Sequence, residues 1–165
     1  MKSLTIAFLV SALCTLCLPN YFVAGTTVKI LKCDVENPMQ GSASLQELTV
    51  SGDTVTGSKL DVQAEVNPGL LSAHITINNE DDDVMFDQTI DFCSMSSNDL
   101  FKSYFQSFDQ PEFNEGNCPI NPGSYSSGQF EISTDDGPEG AYKGTIEVME
   151  GADVIVRIIC EAQLD

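Results

Sequence analysis

The sequence has few basic residues. Lys and Arg total 7 of 165 residues against 25 Asp and Glu, and the formal net charge is −18. Proteins that bind nucleic acid through its phosphates rely on Lys and Arg side chains for most of their affinity. The composition therefore excludes a nucleic-acid binder that is held by phosphate contacts.

Histidine is almost absent, since His74 is the only one. Catalysis by Ser-His-Asp or Cys-His would have to use this residue, which the surrounding alternation predicts to be a solvent-facing strand position. The sequence has no Gly-x-Ser-x-Gly elbow, phosphate-binding glycine loop or His-Glu-x-x-His pair. We therefore predict that the protein is not an enzyme, and a hydrolase with carboxylate catalysis is the weaker alternative.

A hydrophobic run long enough to span a bilayer is also lacking. The run from Leu4 to Leu18 is too short, follows the basic Lys2 and precedes the small residues Val23-Ala24-Gly25. This layout predicts a secretory signal peptide at 1–25 and a single domain over 26–165, with no transmembrane segment. Without Lys2, the only charged residue of 1–25, the net charge is −19. We expect a secreted, extracellular monomer, with the lysosomal lumen as the alternative location.

Four cysteines remain after residue 25, at Cys33, Cys93, Cys118 and Cys160. An even number in a secreted chain predicts two disulfides, and the sequence alone does not choose among the three connectivities. No pair has the spacing of a zinc site, and the acidic stretch 80–83 lacks the glycine and the alternating ligands of a calcium loop. We predict no metal and no cofactor, and we interpret 80–83 as a solvated turn.

The pattern after residue 25 is mainly one of period two, which is typical of half-buried antiparallel strands. Apolar residues alternate with polar ones over 59–66 and again over 71–78, and Asn67-Pro68-Gly69 between them predicts a hairpin. Further strands are predicted at Val28–Cys33, Gln46–Ser51, Val84–Phe92, Ser124–Ser133, Tyr142–Met149 and Val154–Ala162. About eight short strands with regular turns predict an all-β fold, a β-sandwich.

One segment breaks this rhythm. Ser97-Asn98-Asp99 can cap a short helix, and Pro111 ends it. Aromatic residues follow the cap at helical spacing: Phe101, Tyr104, Phe105 and Phe108. The predicted helix or aromatic loop either seals one end of the core or lines the mouth of an apolar cavity.

A stiff turn follows this segment. In Cys118-Pro119-Ile120-Asn121-Pro122-Gly123-Ser124-Tyr125, a cysteine, two prolines and a glycine precede a strand that starts near Tyr125. A second Gly-x-Tyr, at Gly140 and Tyr142, opens the penultimate strand, and Cys160 lies on the last strand. This order of features resembles the ML lipid-recognition domain family, and its ganglioside-activator-like branch most closely.

The resemblance implies an immunoglobulin-like β-sandwich of two antiparallel sheets that part to hold a lipid. It also implies a disulfide connectivity, with Cys33 joined to Cys160 and Cys93 joined to Cys118. The first bridge would tie the first strand to the last, and the second would close the aromatic segment.

The residues themselves support a ligand between the sheets, because inward rows become the walls of a pocket where two packed sheets part. The predicted ligand-binding residues combine these rows with the aromatic cluster and Tyr125: Val62, Ala64, Ile75, Ile77, Phe86, Ile90, Phe101, Tyr104, Phe105, Phe108, Tyr125, Phe130, Ile146, Val148, Val156 and Ile158.

The predicted function is therefore a secreted lipid-binding protein that holds a fatty acid, sterol or glycolipid for transport or presentation. The alternative is an extracellular protein-interaction module, such as a receptor co-ligand or an innate-immune recognition protein, with a filled core. A lipid or other apolar small molecule is the expected partner of the first, and an extracellular protein is the expected partner of the second.

Overall fold

The structure, a computed structural model, describes residues 28–52, 54–95, 97, 107–108, 118–131 and 139–165. Within these ranges the chain forms two antiparallel sheets, which confirms the predicted all-β sandwich. The elements are β1 (Val28–Glu36), β2 (Ala43–Ser51), β3 (Thr54–Val62), β4 (Leu71–Asn79), β5 (Val84–Asp91), α1 (Phe92–Met95), β6 (Gly123–Ser126), β7 (Phe130–Glu131), β8 (Gly140–Glu150) and β9 (Asp153–Leu164). The described helix is too short to cross a bilayer.

The larger sheet has the order β1-β9-β8-β4-β5. Strand β4, between β8 and the edge strand β5, alternates as the sequence predicts, with Leu71, Ala73, Ile75 and Ile77 buried and the intervening residues half-buried. The hairpin predicted between 59–66 and 71–78 is wrong, because β3 and β4 lie in different sheets. A hairpin is formed by β8 and β9, which are joined by a two-residue turn in which Gly151 has φ 63°. Glycine adopts this left-handed backbone conformation without a steric penalty.

The smaller sheet is built around β3, which pairs with β2 on one side and with β6 and β7 on the other. The single strand predicted at 124–133 is thus two short strands. They are separated at Ser127, whose hydroxyl accepts the Ser58 N–H at 2.7 Å. The next residue, Gly128, donates its N–H to Ser107 O at 2.7 Å instead of to β3. The break therefore lets the chain near Phe108 pack beside the sheet.

The helix α1 lies where the sequence predicts the end of strand β5. Asp91 explains this, because its Oδ1 accepts the Cys93 N–H at 3.0 Å and caps the helix. Its other oxygen accepts the Gly69 N–H at 2.7 Å, which ties the turn before β4 to the same point. The predicted helix that begins at 97–99 lies almost entirely outside the described residues.

The two sheets come closest along one edge. Among the strands described, β1 and β9 of the larger sheet run close to β2 of the smaller sheet. At that edge Ile30 donates its N–H to Gly52 O at 2.9 Å, which links β1 to the turn between β2 and β3. The interior between the sheets holds the apolar core, including Val55, Ala73 and Leu164 with no exposed surface.

Both disulfides have the connectivity that the family resemblance implies. Cys33 and Cys160 are opposite residues of β1 and β9, with their Cα atoms 4.1 Å apart. Cys93 in α1 is joined to Cys118, just before β6, with a Cα distance of 5.7 Å. The second bridge therefore connects the helix that follows β5 to the segment that precedes β6.

A row of charged and polar side chains crosses the outer face of the larger sheet. Arg157 on β9 lies opposite Glu36 and Glu147 in the strand register, and its Nε donates to Glu147 Oε1 at 2.8 Å. These carboxylates raise the pKa of Arg157, Glu147 most strongly. The row continues to His74, which lies opposite Glu147 and is 2.8 Å from Asp87 Oδ1 through its Nε2. His74 is on the outer face, although it is only half-exposed.

Candidate functional site

Most of the predicted ligand-binding residues lie in the interior between the sheets. The buried ones are Val62, Ile75, Ile77, Phe86, Ile90, Phe108, Tyr125, Ile146, Val148 and Val156. Ile158 is partly buried against the same core. Phe101, Tyr104 and Phe105 lie outside the described residues, as does the side chain of Phe130. Whether any of these residues contacts a ligand stays a prediction.

The rows differ in how tightly they are enclosed. Ile75 and Ile77 on β4 are 0% exposed. Phe86 and Ile90 on the edge strand β5 keep 7% and 9% of their surface exposed. The row on the edge strand is therefore less completely buried than the row beside it.

Two aromatic residues are described near that edge. Phe108 is 1% exposed, and its backbone forms an isolated antiparallel bridge with Ser127 beside β6. Tyr125 on β6 is buried and donates its hydroxyl hydrogen to Asn121 O at 2.6 Å. The part of the aromatic segment that the structure describes thus packs into the interior.

Ala64 differs from its predicted inward position. It is exposed, because strand β3 ends at Val62 instead of continuing to Val66. The N–H groups of Gln63 and Ala64 both point to Ser42 O, at 2.8 and 3.4 Å, and Val66 then pairs with Ile120. The chain therefore leaves β2 at residue 63 and turns toward the segment before β6.

Gln63 and Ala64, where the chain leaves β3, form one wall of a cleft of about 590 Å³ at the end of the sandwich. The segments before β2 and after β3 line one side, and the ends of β8 and β9 that flank their turn line the other. The lining residues are Met39, Gln40, Gly41, Ser42, Gln63, Ala64, Glu150, Asp153 and Ile155. Ile155 is 1% exposed and forms an apolar base, while amide and carboxyl groups surround it.

Glu150 fastens the two sheets across this cleft. Its carboxylate accepts the Ser42 N–H at 2.9 Å and the Ser42 hydroxyl hydrogen at 2.8 Å. Both hydrogen bonds favour the ionised carboxylate and lower the pKa of Glu150 below its ordinary value of 4.5. The bond from the Ser42 backbone N–H has the larger effect. Gly41 permits the contact, because a Cβ there would lie 2.5 Å from Ile155 Cγ2 and 2.9 Å from Glu150 Oε2.

The lowered pKa of Glu150 predicts an acid-dependent contribution to stability. A carboxyl with a depressed folded pKa stabilises the fold fully above its unfolded value near 4.5, and this contribution is lost as the pH falls through the folded pKa. Glu150→Gln is therefore expected to lower the free energy of unfolding by about 1 kcal/mol or less at neutral pH. The difference from the native chain should disappear once the pH lies below the folded pKa of Glu150.

Urea denaturation at a series of pH values measures this difference. Glu80→Gln, in the exposed turn before β5, is the matched control and should leave the pH profile unchanged. An identical acid limb for the native and Glu150→Gln chains would contradict the assigned role of Glu150.

Sequence reasoning missed this cleft. Its polar residues lie on turns and strand ends, and nothing in residues 39–42 or 150–153 marks them as neighbours before the sheets are stacked. The one available signal was Gly41 beside Ser42, a pair that allows close approach and hydrogen bonding but is common in turns.

Clusters that could support other chemistry are resolved as ordinary structure. Within the ranges described, no group of three His, Cys, Asp or Glu side chains could hold a metal ion. The acidic turn at 80–83 is organised by Asn79, whose Oδ1 accepts the N–H groups of Asp81 and Asp83 at 3.0 and 2.9 Å.

The chain is similar to one family model and to chains of solved structures. A family model described as "Protein of unknown function (DUF1091)" matches residues 71–147, which is less than half of the chain. No curated protein matches the sequence. Seventeen matching chains of solved structures include the crystal structure of chicken MD-1 complexed with lipid IVa. That match has 9% identity and a TM-score of 0.39, and it covers 86% of this chain and 98% of the other.

Proposed function

We propose that the protein is a secreted lipid-binding protein that holds an apolar ligand between its two sheets for transport or presentation. The observation that carries the proposal is the cleft of about 590 Å³ between strand ends of opposite sheets, with the buried Ile155 at its base. Its volume falls within the range of about 300 to 1,000 Å³ that is typical of small-molecule sites. A ligand that enters there would extend its apolar part toward the interior.

The links between the sheets are compatible with a guest between them. The sheets are close along the β1–β2 edge, whereas on the opposite side the Cys93–Cys118 disulfide joins the helix after β5 to the segment before β6. Parting of the sheets on that side would leave the pairing of β1 with β9 intact. The agreement of both disulfides with the ML-family connectivity also supports a sandwich of this kind.

Binding of this sort needs no covalent step. Each methylene that leaves water gains about 0.8 kcal/mol, so a twelve-carbon chain gains about 10 kcal/mol before the entropic cost of binding. The net charge of −19 after residue 25 repels the protein from anionic membranes at neutral pH. Such a carrier would stay in the extracellular fluid.

The complete burial of side chains on β4 favours a second function. Ala73, Ile75 and Ile77 have no exposed surface, as in a filled sandwich that uses its exterior. In that case the protein is an extracellular interaction module, and its partner binds to an outer surface.

Native mass spectrometry of the secreted chain, followed by organic extraction, separates the two functions. The carrier is expected to retain an extractable lipid or to take up a long-chain alcohol such as dodecanol at one-to-one stoichiometry. A chain that takes up no fatty acid, fatty alcohol, sterol or glycolipid would overturn the lipid-binding proposal and leave the interaction module.

A pair of tryptophan variants then tests the entry. Ala64→Trp places a large side chain at the exposed wall of the cleft and is expected to weaken dodecanol binding at least about tenfold, because it occupies the entry. Val84→Trp is the matched control, since Val84 is 61% exposed at the opposite end of the sandwich. Equal affinities for the two variants would place the entry elsewhere and overturn the role of this cleft.

A further inference from the structure

The rim of the cleft carries charge of one sign only. Glu150 and Asp153 contribute carboxylates, Gln40 and Gln63 contribute side-chain amides, and no Lys, Arg or His side chain is among the lining residues. The cationic Arg157 on the neighbouring strand is bonded to Glu147 and Glu36 on the outer face. Among the residues that the structure describes, the salt bridges include none to Glu150 or Asp153.

The two carboxylates are held near each other by the backbone. Glu150 and Asp153 are opposite residues at the end of the β8–β9 hairpin, on either side of its two-residue turn. Opposite residues of an antiparallel pair have Cβ atoms about 5 Å apart. Ser42 fixes the direction of the Glu150 carboxylate, and its two hydrogen bonds keep it ionised.

The rim favours a positively charged polar group on a ligand over a negatively charged one. The rim is partly exposed, so each charge acts through an effective dielectric constant between those of water and protein, and two carboxylates together still shift an equilibrium measurably. An ammonium group would be attracted and could donate hydrogen bonds to the free lone pairs of Glu150 and Asp153. A carboxylate or phosphate group would be repelled and would meet no cationic partner.

We propose, on the basis of the lipid-binding function above, that the cleft selects lipids whose polar group is a protonated amine over anionic lipids of the same chain length. The apolar chain lies toward Ile155 and the interior. The ammonium group lies between Glu150 and Asp153, with Gln40 and Gln63 at its sides. An uncharged alcohol of equal length binds with intermediate affinity.

A matched series of dodecylamine, dodecanol and dodecanoate tests this preference at neutral pH. Each ligand, kept below its micellar concentration, is titrated into the native full-length secreted chain by isothermal calorimetry. Dodecylamine is expected to bind at least about tenfold more tightly than dodecanoate, with dodecanol between them. The ratio of the dodecylamine affinity to the dodecanoate affinity should decrease as the NaCl concentration is raised, because salt screens partly exposed charges.

Two double variants separate the local charges from the charge of the whole molecule. Glu150→Gln with Asp153→Asn removes both rim charges and keeps the shapes, and it is expected to reduce the ratio of the dodecylamine affinity to the dodecanoate affinity at least about threefold. Glu80→Gln with Asp81→Asn removes the same two charges from the opposite end of the sandwich, and it is expected to leave the ratio as in the native chain.

The outcomes distinguish this proposal from the one it rests on. If none of the three ligands binds, the lipid-binding function fails. If all three bind with equal affinity, or if the two double variants change the ratio equally, the function stands and the amine selectivity is overturned. Tighter binding of dodecanoate than of dodecylamine would also overturn it.

Discussion

Removal of the Cys33–Cys160 disulfide is expected to lower the free energy of unfolding by about 5 kcal/mol. The bridge closes a loop with a sequence separation of 127, and the chain-entropy model assigns roughly that amount to a loop of this length. The native geometry leaves room for alanine at both positions, because Cys33 and Cys160 are opposite residues of a regular strand pair. Urea denaturation of Cys33→Ala with Cys160→Ala under oxidising conditions measures the loss.

The second disulfide provides the comparison. Cys93 and Cys118 are separated by 25 residues, for which the same model gives about 3.5 kcal/mol. The paired alanine variant of this bridge is therefore expected to be more stable than that of Cys33 and Cys160. The reverse order would mean that loop length does not govern the stability of this fold.

Replacement of Phe108 by alanine is the second large effect, with an expected loss of about 3 to 5 kcal/mol. Its side chain is 1% exposed, and truncation of a buried phenylalanine removes apolar contact and leaves a cavity. The residue also forms a backbone bridge to Ser127, which directly follows β6. Thermal and urea denaturation report the loss.

Phe108→Leu is the matched control, because it keeps most of the apolar volume. It is expected to lose clearly less stability than the alanine variant. A loss below about 1 kcal/mol for Phe108→Ala would contradict the burial of this side chain. If the alanine variant is too unstable to purify, the leucine variant still reports whether the site is packed.

The strongest strand patterns were predictable from the sequence because burial is alternate there. In β4 and β8, residues such as Ile75 and Ile146 face a core that lies on one side only, so period two is read directly. The order of the cysteines also allowed the disulfides to be inferred, although by family resemblance and not from spacing alone.

The differences arise where a strand changes its partner. Ala64 fits the alternation, yet β3 ends at Val62 and the N–H groups of Gln63 and Ala64 both point to Ser42 O, just before β2 begins. The break at Ser127 likewise depends on Ser58 and on the chain near Phe108, which are far away in sequence. The cleft could not be predicted because it consists of such departures brought together by the stacking of the sheets.

The polar row on the outer face has a consequence for strand alignment during folding. Glu36, Arg157, Glu147, His74 and Asp87 come from five different strands, and each contacts its neighbour only in the native register. A slip of any strand by one residue would turn its member of the row toward the apolar interior, where an unpaired charge is strongly disfavoured. The row thus penalises misaligned sheets far more than it stabilises the aligned one.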